Sequence, residues 1–157
     1  MNIRKVIHMK LFTFFLMLST LFLFTSCDAP DLSGKKVKRE YFTGGKIRSE
    51  FFMDDDSGQN GTLKLYGYNG KVTSISHLTN GVKDGLETLY DEEGHIIRQT
   101  PYVNGRKHGI VKVLYPNGEN AATIPYYRGL KQGRAVAYNP NGSVSKTATF
   151  RNGKLIN

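Results

Sequence analysis

Tryptophan is absent from this 157-residue chain, and cysteine occurs once, at Cys27. One cysteine excludes a disulfide scaffold and a Cys-based zinc ribbon, which both need several. Acidic residues are scarce, 13 Asp+Glu against 22 Lys+Arg, giving a formal net charge of +9. Long apolar runs are missing beyond residue 24, and no later stretch carries a helical apolar period over a useful length. Pro101, Pro116, Pro125 and Pro140 weigh further against helix. A hydrophobic share of 39% excludes wholesale disorder. The length leaves room for one domain or one short repeat array.

What is present begins with a leader. Arg4, Lys5 and Lys10 precede an apolar run from Leu11 to Phe24, which ends at Thr25-Ser26-Cys27. The run is shorter than the roughly 17 to 20 residues a membrane span needs. A basic start, a short apolar core and small residues at its end describe a secretory signal peptide over residues 1–26, expected as a helix. Thr25-Ser26-Cys27 resembles the lipobox of bacterial lipoproteins, although Phe24 is bulkier than that pattern's aliphatic residue. The resemblance implies that Cys27 is lipidated and heads the mature chain, with the polar residues 27–37 as a tether. An uncleaved anchor and ordinary secretory cleavage are the alternatives. The expected location is the cell envelope, with the protein held to a membrane by the lipid on Cys27. Loss of the three leader cations leaves 19 basic against 13 acidic residues, or +6. That surplus is too mild for a nucleic-acid partner.

The glycines are periodic. Gly61, Gly85, Gly109 and Gly133 are spaced by 24 residues, and so are Gly70, Gly94, Gly118 and Gly142, and Gly81, Gly105, Gly129 and Gly153. Tyr66, Tyr90 and Tyr138 share one position of the period, with Leu114 in the remaining copy and Tyr115 beside it. Leu78, Tyr102, Tyr126 and Phe150 share another. A looser copy runs from Tyr41 through Phe52, with one residue inserted near Asp54–Gly58. Asn-Gly recurs between apolar stretches, and a turn with φ > 0 at two successive residues selects that pair. Each repeat therefore offers two short strands. The expected fold is all-β: about five 24-residue hairpin repeats over residues 38–157, forming one elongated antiparallel sheet. Rows of equivalent side chains would then recur about every 10 Å.

The segments YGYNGKVTSISHLTNGVKDG, YDEEGHIIRQTPYVNGRKHG, LYPNGENAATIPYYRGLKQG and YNPNGSVSKTATFRNGK resemble the bacterial variant of the MORN repeat. The chain as a whole is similar to the YwqK-type antitoxin family built from it, apart from the lack of the repeat's common tryptophan and the presence of a leader. The resemblance implies a toxin-neutralising protein without chemistry of its own. With export, it implies an immunity-type role at the envelope. An envelope lipoprotein touching lipid, glycan or another envelope protein is the alternative.

Catalytic chemistry would need a constellation that breaks the repeat. His77, His95 and His108 fall at three different repeat positions, and no metal-ligand spacing is present. Asp54–Gly58 lacks the distal Glu of a calcium loop. The expectation is no catalytic residue, no metal and no cofactor. Tyrosine favours binding faces, being large, stiff and amphipathic. The candidate partner-binding residues are therefore Tyr66, Tyr90, Tyr115, Tyr127, Arg128 and Tyr138, with a toxin or an envelope protein as the partner.

Overall fold

A computed structural model of the protein describes residues 29–30 and 34–156; Cys27 and the expected signal helix lie outside them. The described residues contain no helix and form one antiparallel sheet of fifteen strands. A two-residue strand, β1 (Ala29–Pro30), pairs with β2 (Lys36–Tyr41), which is followed by β3 (Ile47–Met53). Four copies of a three-strand unit come next. The first is β4 (Gly61–Tyr66), β5 (Val72–Thr79) and β6 (Val82–Lys83). The second is β7 (Gly85–Tyr90), β8 (Ile96–Val103) and β9 (Arg106–Lys107). The third is β10 (Gly109–Leu114), β11 (Asn120–Tyr127) and β12 (Leu130–Lys131), and the fourth is β13 (Gly133–Tyr138), β14 (Val144–Arg151) and β15 (Lys154–Leu155).

The elongated hairpin array is thus as expected, but each unit holds three strands rather than two. The short third strand folds back on the end of the long one, as in Thr79↔Val82 and Leu78↔Lys83. Two residues after it, a glycine with positive φ carries the chain into the next unit: Gly85, Gly109 and Gly133 have φ of 100°, 103° and 104°. The units join edge to edge, so the sheet order follows the chain order. Substantial strand contacts are all between sheet neighbours. Among the described residues the sheet is therefore a single layer with two open faces.

Two turn types alternate along it, and Asn-Gly serves them differently. At 80–81, 104–105 and 152–153 both residues have positive φ, with Asn at 52°, 47° and 49°. These are the two-residue primed turns that match strand twist. At 69–70, 117–118 and 141–142 only the glycine is left-handed. There the Asn side chain accepts the N–H two residues on, from Lys71, Glu119 and Ser143 at 3.0 Å each. The expectation of two positive φ values thus holds for one class of turn and not for the other.

Conventional core is almost absent. Val37 and Val111 are the buried hydrophobic residues among those described, beside buried Ser49, Ser74, Ser76, Glu87 and Thr100. A one-layer sheet has no second layer to press against. Cohesion comes from the backbone ladder and from side chains packing along rows.

Candidate functional site

Pleating sorts the side chains onto two faces. On the first face, paired residues run from strand to strand as Ser49–Leu65–Ser74–Leu89–Arg98–Val113–Ala122–Ala137–Lys146. Two residues along each strand lies a second row holding Phe51, Leu63, Ser76, Glu87, Thr100 and Val111, and continuing through Ile124 and Ala135 to Ala148. In the first units these central rows mix leucine and phenylalanine with serine, glutamate and threonine; in the third they are mainly valine, isoleucine and alanine, and in the last alanine with Lys146 at the end.

A third row lies near the primed-turn edge. Leu78, Tyr102, Tyr126 and Phe150 sit opposite Gly61, Gly85, Gly109 and Gly133. An aromatic ring facing a glycine covers backbone that a side chain would otherwise cover. Each ring also carries a lysine from the short third strand. Lys83 lies 5.3 Å from the centroid of Tyr102, Lys107 5.2 Å from Tyr126, and Lys131 4.8 Å from Phe150. The result is a ridge of three cation–π pairs at the 24-residue period. Sequence reasoning found the aromatic row but missed the lysines, whose own 24-residue spacing was the available signal.

Backbone rungs tie successive primed turns together: Gly105 N donates to Lys83 O, Gly129 N to Lys107 O and Gly153 N to Lys131 O, at 2.8, 2.8 and 2.9 Å. In the first copy the loop 54–60 replaces the primed turn, and Gly81 N donates to Gln59 O across the same gap. This is the inserted segment expected there. Its carboxylates are engaged: Asp54 with Lys35 and Asp56 with Lys36, while Asp55 accepts from Ser57 and Asn60. Those hydrogen bonds hold the Asp55 carboxyl below its usual range.

The six candidate tyrosine and arginine positions separate. Tyr66, Tyr90 and Tyr138 form a half-buried row on the second face, toward the edge of the longer turns. Tyr115 lies in one of those turns and donates to Tyr138 O at 2.8 Å. Tyr66 donates to Glu50 Oε2 at 2.5 Å, and Arg39 Nε donates to Glu50 Oε1 at 2.8 Å. Burial alone would raise the Glu50 carboxyl, but the Tyr66 hydroxyl and the Arg39 guanidinium outweigh it and hold the carboxyl below its ordinary 4.5. Burial first, and then the Glu50 carboxylate, push the Tyr66 phenol up to about 12. Tyr127 and Arg128 lie at the opposite edge. Tyr127 is 52% exposed, packs on His108 at 5.1 Å between centroids, and has Arg128 over its ring. The structure therefore does not assemble the six into one patch.

The first face holds two hollows. One of about 380 Å³ lies between Lys38, Glu40, Phe51, Leu63, Leu65 and Leu78. The other, of about 220 Å³, is floored by alanines and lined by Ile124, Lys131, Lys146 and Phe150. Between them Glu87 is buried, accepting from Lys83 Nζ and, at 3.3 Å, from Tyr102 OH.

The histidines are dispersed. His77 is 3.8 Å from Asp54, His95 is 3.1 Å from Asp91, and His108 lies tilted against Tyr127 at the other edge. Asp91, Glu93 and His95 can bring three ligand atoms within 4.8 Å of one another. The Asp91 carboxylate is already used by its own turn, accepting from the Glu93 and His95 amides. The small desolvation there is outweighed by the His95 amide, the His95 ring and the Gly94 amide, so its carboxyl lies below the usual range. What the faces offer chemically is recognition: small apolar floors, a cationic ridge and amphipathic rings.

No curated protein matches the chain. Residues 83–104, which run from the lysine of β6 through β8 to the start of the next primed turn and fall just short of one period, match the family described as MORN repeat variant.

Proposed function

We propose that this protein is an exported lipoprotein, anchored through Cys27, whose repeat sheet binds a protein partner and performs no chemistry of its own. In its finer form the reading is that of a toxin-neutralising, immunity-type protein of the envelope, which occludes its partner's site. The observation that carries the binding role is the single-layer sheet. Among the described residues its two faces have no covering layer, and one bears the ridge of Lys83, Lys107 and Lys131 over aromatic rings. Flat, repeated, aromatic-rich faces of this kind suit extended contact with a macromolecule.

Two experiments test it. Palmitate labelling of the wild-type chain and of Cys27→Ala should give label in the first and none in the second; an unlabelled wild type overturns the anchor. Affinity capture with the Cys27→Ala chain should recover one stoichiometric protein. Salt-sensitive binding to anionic vesicles, with no protein recovered, would instead mark an envelope lipoprotein that contacts lipid.

A further inference from the structure

Charge is divided along the sheet. Residues 34–95 carry nine Lys and Arg against ten acids, whereas residues 96–156 carry ten against one, Glu119. The basic half ends in an edge strand. In β5, β8 and β11 the same two positions are taken by the next unit, as Ser74↔Leu89 and Ile75↔Thr88, Arg98↔Val113 and Gln99↔Lys112, and Ala122↔Ala137 and Thr123↔Val136. In β14 those positions are Lys146 and Thr147, which have no partner on their outer side among the described residues. The short strand β15 covers only Phe150 and Arg151, and Ile156 N reaches Thr149 O at 2.9 Å. Peptide groups alternate in direction along an antiparallel strand, so the Thr147 N–H and C=O point outward like those of Thr149. Val144 to Thr147 are all exposed, Val144 by 56%.

We propose that the outer edge of β14 receives an extended acidic segment of a partner protein, which continues the sheet and sets a carboxylate against Lys146. This rests on the reading that the sheet binds protein, and names the place and the chemistry. An outward carbonyl needs a donor and an outward amide needs an acceptor; a peptide backbone brings both, whereas phosphate brings acceptors alone. The register follows from the internal joins. The incoming residue in the place of Ala137 faces Lys146, and the residue in the place of Ala135 faces Ala148 beside the alanine-floored hollow. Lys131 flanks that hollow, so a small apolar side chain between two carboxylates fits it. A second copy is disfavoured at this edge. Pairing β14 with itself joins two basic halves, and at the far edge β2 is already paired on its outer side by β1 at Lys36 and Val37.

The probe is a peptide copying residues 129–139 with Lys131→Gln, Gly133→Glu, Arg134→Gln and Ala137→Glu, which sets two carboxylates on the face of Lys146 with the alanine at 135 between them, offered to the full Cys27→Ala chain in detergent. It should bind in a salt-sensitive manner and slow amide hydrogen exchange at Thr147. A scrambled peptide of the same composition should not slow that exchange. Lys146→Glu and Thr147→Pro should each weaken binding by about tenfold or more, whereas Lys64→Gln, far from the edge, should leave it unchanged. Proline at 147 removes an outward amide and no bond to β13, and unchanged exchange protection in β10 and β11 verifies that the variant is folded. Equal affinity for the β14 variants, or binding without protection at Thr147, overturns the proposal. So does tighter binding of an oligonucleotide or of anionic vesicles that competes the peptide away. A captured protein that binds wild type and β14 variants alike overturns the edge assignment while leaving the protein-binding reading intact. Peptide binding at β14 with no protein captured from the cell supports the edge and overturns that broader reading.

Discussion

At the scale of single residues, the Arg39–Glu50–Tyr66 cluster is the clearest case of a side chain serving structure where the sequence pointed to binding. The amphipathic ring of Tyr66 suits a binding face, yet its hydroxyl is spent on Glu50 at 2.5 Å. Nothing in the local sequence could indicate this, because Glu50 and Tyr66 are 16 residues apart and meet only through the β3–β4 register. The coupling has a pH signature. Glu50 is held below its ordinary 4.5, so its contribution to stability is full above that value and is lost as pH falls through the lower folded value. Tyr66 is raised from 10.0 to about 12, so its contribution is full below 10.0 and is lost as pH rises toward 12. Tyr66→Phe should cost about 1 kcal/mol at neutral pH and reduce both losses. Denaturant titrations at acid, neutral and alkaline pH check this; an unaltered pH profile would show that the hydrogen bond contributes nothing.

At the scale of elements, the primed turns are the punctuation that made the fold legible. The 24-residue glycine series gave the repeat, the strand order and the placement of the aromatic row. What stayed hidden was the short third strand, since two residues such as Val82-Lys83 carry no period to detect. Also hidden was which Asn-Gly pairs use a left-handed Asn and which use an Asn side chain, because the dipeptide is the same in both. The turn at 128–129 makes the difference measurable. Arg128 has φ of 48°, a conformation its counterparts fill with Asn80, Asn104 and Asn152. Asn tolerates that region far better than Arg, so Arg128→Asn should stabilise by about 0.5 to 1 kcal/mol. If thermal unfolding shows no gain, the contact of Arg128 with Tyr127 offsets the backbone cost. Gly109→Ala should act oppositely. Its φ is 103°, and an added Cβ would lie 3.2 Å from Pro101 Cγ, so a loss of about 1 to 3 kcal/mol is expected in the same measurement.

At the scale of the whole molecule, the substantial contacts of each three-strand unit are with its neighbours, so stability is a sum of units and joins rather than the property of one core. The scarcity of buried apolar residues, Val37 and Val111 among those described, fits that account. Removing the last unit, residues 133–157, should therefore lower the unfolding midpoint without collapsing the rest, and circular dichroism should retain the sheet signal of the remaining units. Global unfolding of the shortened chain would show instead that the terminal unit acts as a required cap. The truncation also moves the outer edge from β14 to β11, where Ala122 and Thr123 replace Lys146 and Thr147. The backbone offered there is equivalent, but the cation at the first position is gone. The acidic peptide should then bind more weakly to the shortened chain, and Ala122→Lys in that background should restore binding by placing a lysine at the new edge. Isothermal titration of the three proteins separates the two contributions: equal affinities would mean that the exposed backbone alone governs binding, and that the charge division along the sheet has no part in it.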